Sequence, residues 1–255
     1  MTMHSLGAGP VLVLAHGAGG SVLDNYATLA THLPDRLLLG RDYPGSGGRP
    51  PQPEPLDLDA LADELVTGAV EAGHERFPVL GLSMGAAVAV TAAARHPERV
   101  SGLVLTVGLA YADAQARAFA DLYARLARAG TVDELARLLV LTQSPRTLGA
   151  LDENALDALL TELAGPAEEA AALAPQMDLV ARVDTRPLLP QVAVPTLVVV
   201  GGEDRILLPA SVRLLADGIP GAELVELPEA GHIFTPEETA VWAGHVRTFL
   251  ENHRL

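Results

Sequence analysis

Short apolar runs alternate with longer segments rich in Ala, Leu, Glu and Arg in the first and last parts of the chain. Runs of about five apolar or β-branched residues predict strands, and the longer mixed segments are typical of helices. We assign six strands: Val11–Ala15, Leu37–Arg41, Pro78–Leu82, Leu103–Val107, Thr196–Val200 and Glu223–Leu227. Most of these runs are apolar throughout, as expected of strands that are buried on both faces of a parallel sheet.

Helical periodicity separates these strands. It predicts helices at Leu23–Leu33, Leu58–Ala72, Met84–Arg95, Ala210–Asp217 and Glu237–Asn252. Asp57 occupies the N-cap position of the second helix, and Pro97 follows the third helix closely enough to end it. The alternation of strand and helix predicts an α/β fold, in which a mostly parallel sheet has helices on both faces.

One long segment interrupts this alternation. No convincing strand occurs after Val107 until Thr196, and most of the intervening residues are Ala, Leu, Arg and Glu. Because the segment is too long for a plain connection, we predict a mostly helical insertion over about Tyr111 to Thr185.

The composition excludes several chemistries. The 255 residues include 17 basic and 32 acidic side chains, a net charge of −15, and every basic residue is Arg. Because Lys and Cys are absent, the chain has no Walker-type phosphate loop, Schiff-base lysine, thiol nucleophile, disulfide or thiolate zinc site. An acidic chain without basic clusters also argues against nucleic-acid and anionic-membrane partners. We expect a small-molecule substrate, no cofactor, no metal, and a monomer or homodimer.

The sequence also bears on the compartment. No apolar run approaches the length of about 18 residues that a membrane-spanning helix needs. Residues Met1–Pro10 lack the basic region and apolar stretch that mark a secretory signal. We therefore expect a cytoplasmic protein.

Ser83 lies in the sequence Gly81-Leu82-Ser83-Met84-Gly85, which matches the G-x-S-x-G nucleophile elbow. An apolar run precedes the match and an Ala- and Val-rich helix follows it, which is the strand-turn-helix setting that the motif requires. The alternative interpretation is a glycine-flanked serine in an ordinary turn between a strand and a helix. The context favours a nucleophilic Ser83.

A serine hydroxyl needs a base that accepts its proton, and with this elbow the acid and then the histidine follow the serine along the chain. His232 comes just after the last predicted strand, and Asp204 comes just after the strand before it. The carboxyl ends of parallel strands meet at one edge of the sheet. Ser83, Asp204 and His232 are therefore expected to lie close together.

The identity of the acid is less constrained by the sequence. Asp204 is favoured over its neighbour Glu203 because it is the last polar residue before Arg205 and an apolar stretch. Asp113, six residues past the strand that ends at Val107, is the alternative acid.

The loop His16-Gly17-Ala18-Gly19-Gly20-Ser21 follows the first predicted strand, and its small residues allow backbone N–H groups to face an anion. A dinucleotide site would use its glycines with Asp42 as the ribose ligand, but Val22 occupies the third glycine position and would obstruct close packing. An acyl-transfer site explains the loop better, with the N–H groups of Ala18 and Met84 as an oxyanion hole.

Together these motifs resemble the α/β-hydrolase superfamily, and the resemblance spans nearly the whole chain. The matching segments are His16–Gly20, Arg41–Gly47, Gly81–Gly85, His96–Val100, Val194–Asp204 and Ala230–His232. They are most similar to the branch that contains enol-lactonases, carboxylesterases and meta-cleavage-product hydrolases. In that branch a helical cap follows the sixth strand of the full fold. The resemblance thus implies a core of residues 1–110 and 186–255 and a cap at residues 111–185.

The resemblance implies further details. Only 15 residues precede His16, where the family usually has a leading hairpin, so we expect its first strand to be absent and the sheet to have six or seven strands. Asp42 is expected to fix the Pro-Gly turn rather than to take part in catalysis. Ser83, in place of an aspartate, argues against epoxide hydrolases and dehalogenases. Ala86 stands where a second glycine is common, which is a mild change.

These features predict a serine hydrolase that acts on an ester, thioester or lactone of a small molecule through an acyl-enzyme. Ser83 is the expected nucleophile, His232 the base and Asp204 the acid that orients it. The aromatic residues that we assign to the substrate pocket are Tyr43, Tyr111, Tyr123 and Phe234. Two alternatives stay open, a biosynthetic acyltransferase, lyase or cyclase with the same triad, and a non-enzymatic small-molecule-binding protein.

Overall fold

Seven strands form one sheet in the computed structural model, which describes residues 3–53 and 55–255. They are β1 (His4–Leu6), β2 (Val11–Ala15), β3 (Leu37–Gly40), β4 (Phe77–Leu82), β5 (Val100–Thr106), β6 (Thr196–Gly201) and β7 (Glu223–Leu227). Their order is β1-β3-β2-β4-β5-β6-β7, with β1 antiparallel to β3 and every other neighbouring pair parallel. The predicted α/β architecture is confirmed.

Helices cover both faces of this sheet. In the described part of the chain they are α1 (Val22–His32), α2 (Leu58–Glu71), α3 (Met84–Arg95), α4 (Ala114–Ala129), α5 (Val132–Leu141), α6 (Pro145–Gly149), α7 (Glu153–Ala164), α8 (Ala167–Val180), α9 (Pro209–Gly218) and α10 (Pro236–Asn252). Buried side chains of α1 and α10 share one apolar cluster, and those of α2, α3 and α9 share another. None of these helices is both long and apolar enough to cross a bilayer.

The strand β1 was not predicted from the sequence pattern. Its three residues are too few for a periodic signal, and the strand exists through its pairing with β3, from His4 opposite Gly40 to Leu6 opposite Leu38. The His4 imidazole also contacts the Asp42 carboxylate, with 2.6 Å between Nε2 and Oδ2. One short edge strand thus stands where related folds have a leading hairpin, and the sheet has seven strands, within the six or seven expected.

The order of the strands reverses at β2. From β2 the chain first adds β3 on one side, and β4 then pairs with the other side of β2. Open α/β sheets bind their ligands outside the carboxyl ends of the strands at such a switch point. Ala15 at the end of β2 pairs with Gly81 near the end of β4. The loop that begins at His16 therefore lies beside Ser83.

Thr106, the last residue of β5, links the elbow to the opposite face of the sheet. Its hydroxyl accepts a hydrogen bond from the indole N–H of Trp242 in α10, and its carbonyl oxygen accepts one from the Ser83 N–H, both at 3.0 Å. Thr106 and Trp242 are buried. Because a buried polar group is costly without a partner, these bonds hold the end of β5 and the turn at Ser83 in one arrangement.

Helices α4 to α8 occupy the insertion between β5 and β6. The two ends of the insertion are joined, because the N–H of Ala112 donates to the Val183 carbonyl at 2.8 Å and that of Thr185 donates to the Ala110 carbonyl at 2.7 Å. Helices α4 and α8 contain most of the buried residues of the insertion, whereas α6 and α7 have none. The insertion is therefore held on the core mainly through α4 and α8.

Gly244 provides a test of helix α10. It lies in the helix interior, and a Cβ atom there would meet no atom within 4 Å. Glycine in a helix loses more conformational entropy on folding than alanine, so we expect Gly244→Ala to raise the free energy of unfolding by about 0.5–1 kcal/mol. Urea denaturation followed by circular dichroism measures this change. A loss of stability would contradict the open environment of this position.

Candidate active site

Ser83 stands between β4 and α3 in a strained backbone conformation, with φ 54° and ψ −119°. Non-glycine residues rarely adopt such a positive φ, and they keep it only where the surrounding structure enforces it. Two glycines make this turn possible. A Cβ atom at Gly85 would overlap the carbonyl oxygen of Ala15, and one at Gly81 would overlap the carbonyl oxygen of Gly85. The glycines of the motif are therefore required by the packing of backbone on backbone.

Ala86 stands where a second glycine is common, and a neighbouring glycine makes room for its methyl group. A Cβ atom at Gly108, in the loop after β5, would overlap the Cβ of Ala86. The absence of a side chain at Gly108 thus makes room for the methyl group of Ala86. The helix can start directly after the elbow without a shift of the neighbouring loop.

The structure brings Ser83, His232 and Asp204 together in a chain of hydrogen bonds. Nε2 of His232 is 3.0 Å from Oγ of Ser83, and Nδ1 of His232 is 2.7 Å from Oδ2 of Asp204. The second carboxylate oxygen of Asp204 accepts the N–H groups of Ile206 at 2.8 Å and Leu207 at 2.9 Å. Because the carboxylate accepts a hydrogen bond from the Nδ1–H group, the Nε2 lone pair faces the serine hydroxyl.

The two other candidate acids lie elsewhere. Asp113 caps helix α4 by accepting the N–H of Ala116 at 2.8 Å, and it also accepts a hydrogen bond from the hydroxyl of Ser211. Glu203 has an exposed side chain. By contrast, Asp204 is 3% exposed and His232 is 7% exposed, so water is largely excluded from the pair. Asp204 is thus the carboxylate that the fold places on His232.

Two backbone N–H groups beside Ser83 are free to bind a substrate oxygen. Within residues 3–53 and 55–255, the N–H groups of Ala18 and Met84 have no hydrogen-bond partner, although the N–H groups of Gly17 and Gly19 both have one. A Cβ atom at Gly17 would lie 3.3 Å from the Cβ of Ser83, which shows how closely this loop approaches the serine. The two predicted oxyanion-hole residues therefore adjoin the predicted nucleophile.

This geometry agrees with comparisons to known proteins. A family model described as the alpha/beta hydrolase fold matches residues 10–239. The chain belongs to the α/β-hydrolase family. It is 32% identical over 243 residues to the pimeloyl-(acyl-carrier protein) methyl ester esterase of Chromobacterium violaceum, and the match covers 90% of each chain.

Solved structures place this α/β hydrolase among similar folds. A thermophilic esterase from Thermogutta terrifontis is 25% identical with a TM-score of 0.83, covering 100% of this chain and 94% of that one. The enol-lactonase from Burkholderia xenovorans is also 25% identical, with a TM-score of 0.82 and coverage of 98% and 96%. The predicted resemblance to the superfamily, and to the branch that contains enol-lactonases and esterases, is confirmed.

His16 in this α/β hydrolase is buried and neutral. Its Nε2 accepts the N–H of Tyr43 at 2.9 Å, so Nδ1 holds the proton and donates to the Gly17 carbonyl at 2.8 Å. Burial lowers the pKa of His16 from 6.5 to about 4. The Tyr43 ring packs on the imidazole, with 4.0 Å between the ring centroids. His16 therefore shapes the loop of residues His16–Ser21, which we call the glycine loop, and does not transfer a proton to the substrate.

The Asp42 carboxylate binds a backbone N–H group and a neighbouring side chain. One carboxylate oxygen accepts the N–H of Val22 at 2.7 Å, the other contacts His4, and a Cβ atom at Gly47 would overlap it. Asp42 is 4% exposed, and each of its carboxylate oxygens has a partner. This environment disfavours the dinucleotide interpretation, because a ribose ligand must be accessible to a cofactor.

The four aromatic residues assigned to the substrate pocket have different surroundings. The hydroxyl of Tyr123 lies at the glycine loop, 3.3 Å from where a Cβ atom at Gly19 would stand. Burial raises the pKa of Tyr123 to about 12, so its hydroxyl stays protonated. The others contact different groups: Tyr43 packs on His16, Tyr111 lies under the guanidinium of Arg186, and Phe234 packs edge-on against Trp242.

Two amide side chains near the site were not predicted. Asn25 accepts the N–H of Gly17 at 2.7 Å, and Gln176 from α8 accepts the N–H of Gly19 at 3.0 Å. Asn25 is only eight residues from Gly17, so a search for polar groups in the first helical turn could have found it. Gln176 lies 157 residues from Gly19 along the chain, and no local pattern points to that contact.

A cavity of about 530 Å³ lies where α4 and α5 face the loop after β6. Its lining residues are Gln115, Ala118, Phe119, Leu122, Leu138, Leu141, Thr142, Asp204, Arg205 and Leu208. The walls are mainly apolar, and Leu141 is 68% exposed. The cavity reaches the same loop that holds the acid beside His232.

The elbow can be tested with a matched pair of glycine substitutions. Gly85→Ala places a methyl group against the Ala15 carbonyl, and we expect it to lower the free energy of unfolding by about 3 kcal/mol. Gly149→Ala is the control, because a Cβ atom there meets nothing within 4 Å, and its effect is expected to stay within about 0.5 kcal/mol. Equal effects in urea denaturation would contradict the close packing of the elbow.

The neutral His16 predicts a dependence of stability on pH. The unfolded state binds a proton near pH 6.5 and the folded state only near about pH 4, so stability falls as the pH drops through this window. The full effect is about 3 kcal/mol. Urea denaturation at several pH values should show a shallower slope in His16→Gln, whose amide can still accept the Tyr43 N–H. Parallel slopes for the two proteins would contradict this prediction.

Proposed function

We propose that this α/β hydrolase is a serine hydrolase that cleaves an ester, thioester or lactone of a small molecule through an acyl-enzyme. The observation that carries the proposal is the continuous line of hydrogen bonds from Asp204 through His232 to Ser83. A serine hydroxyl is a weak nucleophile until a base accepts its proton, and this arrangement supplies the base and its orientation.

Acylation follows from these contacts. Nε2 of His232 takes the hydroxyl proton as Oγ of Ser83 forms a bond to the carbonyl carbon, and the carbonyl oxygen becomes an oxyanion. The intermediate collapses by breaking the bond from carbon to the leaving oxygen or sulfur, which takes the proton from His232. In a lactone this leaving group stays attached to the acyl chain.

Deacylation repeats these steps with water in place of the serine hydroxyl. His232 takes a proton from the water, whose oxygen attacks the acyl carbon, and the proton then returns to Oγ of Ser83 as the acid departs. Asp204 keeps Nδ1 protonated throughout, which stabilises the imidazolium. The N–H groups of Ala18 and Met84 bind the oxyanion in both steps, and each such donor contributes about 3 kcal/mol in the transition state.

Two observations bear on the class of substrate. The net charge of −15 disfavours polyanionic substrates. The relatives named as an ester esterase and an enol-lactonase favour ester and lactone bonds.

We further propose that residues 111–185 act as a cap, because Tyr123 and Met177 from this segment both adjoin Gly19 in the glycine loop. The protonated Tyr123 hydroxyl would donate to a substrate oxygen.

Substitutions of the two aspartates test the triad. Asp204→Asn loses the carboxylate that orients His232, and we expect kcat for p-nitrophenyl acetate to fall by about 10⁴-fold. Asp113→Asn is the matched control and should keep near-wild-type kcat, because the Asp113 carboxylate bonds the Ala116 N–H and the Ser211 hydroxyl, whereas His232 bonds Asp204. Ser83→Ala should abolish both turnover and labelling by a fluorophosphonate probe. The proposal is wrong if Ser83→Ala retains wild-type turnover.

A panel of esters, thioesters and lactones separates the open alternatives. Brisk turnover of simple members supports the hydrolase. Labelling of Ser83 without turnover of any member would instead support an acyltransferase, lyase or cyclase. An unreactive Ser83 would support a binding protein of the same fold.

A further inference from the structure

Gln176 is a fully buried amide in the insertion helix α8, directly after Pro175. Its side chain leaves the insertion and ends between two loops of the core. Oε1 accepts the N–H of Gly19 at 3.0 Å, and Nε2 donates to the Pro44 carbonyl at 3.0 Å and to Oγ of Ser46 at 2.8 Å. Buried polar networks of this kind hold their members in one arrangement when every group is satisfied.

The chemistry of the partners determines how the amide is oriented. The N–H of Gly19 can only donate, and the carbonyl of Pro44 can only accept, so the oxygen of Gln176 must face the first and its nitrogen the second. Ser46 closes the ring, because its hydroxyl donates to the Gly20 carbonyl at 2.6 Å while it accepts from Nε2. Gln176 is thus tied to both ends of the Gly19–Gly20 segment.

These contacts bracket Ala18. On one side the N–H of Gly17 is held by Asn25 at 2.7 Å, and on the other the N–H of Gly19 is held by Gln176. The N–H of Ala18 between them has no partner in the described chain. Both neighbouring peptide groups are therefore fixed, and the flexible Gly19, with φ 83°, cannot turn its own N–H toward the substrate in place of that of Ala18.

We infer that Gln176 is a positioning residue for the oxyanion hole, through which the insertion holds the Ala18 N–H toward the substrate oxygen. This inference rests on the proposed serine hydrolase function. A donor that binds the oxyanion more strongly than the ground-state carbonyl raises kcat and has little effect on KM. Gln176 acts on that donor through the loop and does not itself contact the reacting atoms.

Two substitutions of Gln176 remove different parts of the network. Gln176→Met keeps the length of the side chain and loses every hydrogen bond. Gln176→Glu keeps an acceptor for Gly19 but places a second acceptor against the Pro44 carbonyl and the Ser46 oxygen. Displacement of a catalytic donor by about 1 Å costs about 10²-fold in rate, so we expect kcat to fall by that order in both variants with KM nearly unchanged.

A second readout separates positioning from a structural role. A trifluoromethyl ketone forms an oxyanion when Ser83 adds to it, whereas the corresponding trifluoromethyl alcohol has no carbonyl group and binds uncharged. In the Gln176 variants the affinity for the ketone should fall by about the same factor as kcat, while inhibition by the alcohol should stay at the wild-type level. Equal weakening of both ligands, or an unchanged kcat in folded Gln176→Met, would overturn the inference.

Three further variants complete the experiment. Gln191→Met is the matched control, because the Gln191 side chain is exposed and donates to the nearby Pro187 carbonyl, and it should keep the wild-type kcat. Ser46→Ala breaks the link from Gln176 to the Gly20 carbonyl and should lower kcat less than Gln176→Met does. This variant keeps the inference testable if Gln176→Met does not fold. An unchanged kcat in Ser46→Ala would then count against the inference. Full activity in Ser83→Ala would refute the proposed function itself, whereas Ser83-dependent activity that ignores Gln176 refutes only the positioning role.

Discussion

The approach of helix α3 to the end of β2 is the contact on which the site depends. Backbone meets backbone there, because the chain has no side chain at Gly85 against the Ala15 carbonyl. Ser83, which directly precedes α3 at this contact, has a positive φ of 54°. The contact also brings the loop after β2 within reach of the serine. The proposed nucleophile and the proposed oxyanion donors therefore lie at the same contact.

Two histidines near this edge show how surroundings determine the role of one residue type. His16 meets a backbone donor and a backbone acceptor and is fully buried, so it is held neutral as part of a loop. His232 meets a carboxylate on one side and the Ser83 hydroxyl on the other, which is the arrangement that its proposed role as the base requires. The difference lies entirely in what each ring nitrogen faces.

Much of this arrangement follows from local sequence. The parallel strands are continuous apolar runs, and the elbow motif with its later Asp and His places three residues at one sheet edge. What the sequence did not provide depends on distant pairing. Strand β1 exists only against β3, and the contacts of Gln176 join parts of the chain at least 130 residues apart. The sequence favours Asp204 and leaves Asp113 as the alternative acid, because only tertiary packing decides which of them reaches His232.

Strand β1 has a consequence for solubility. Without it, the leucines of β3 would form the edge of the sheet and present unpaired N–H and C=O groups to other molecules. Such an edge is a template for intermolecular strand pairing and fibril growth. The three residues of β1, paired with β3 and tied to Asp42 through His4, therefore cover this edge of the sheet, and the same carboxylate also binds the N–H group at the start of α1.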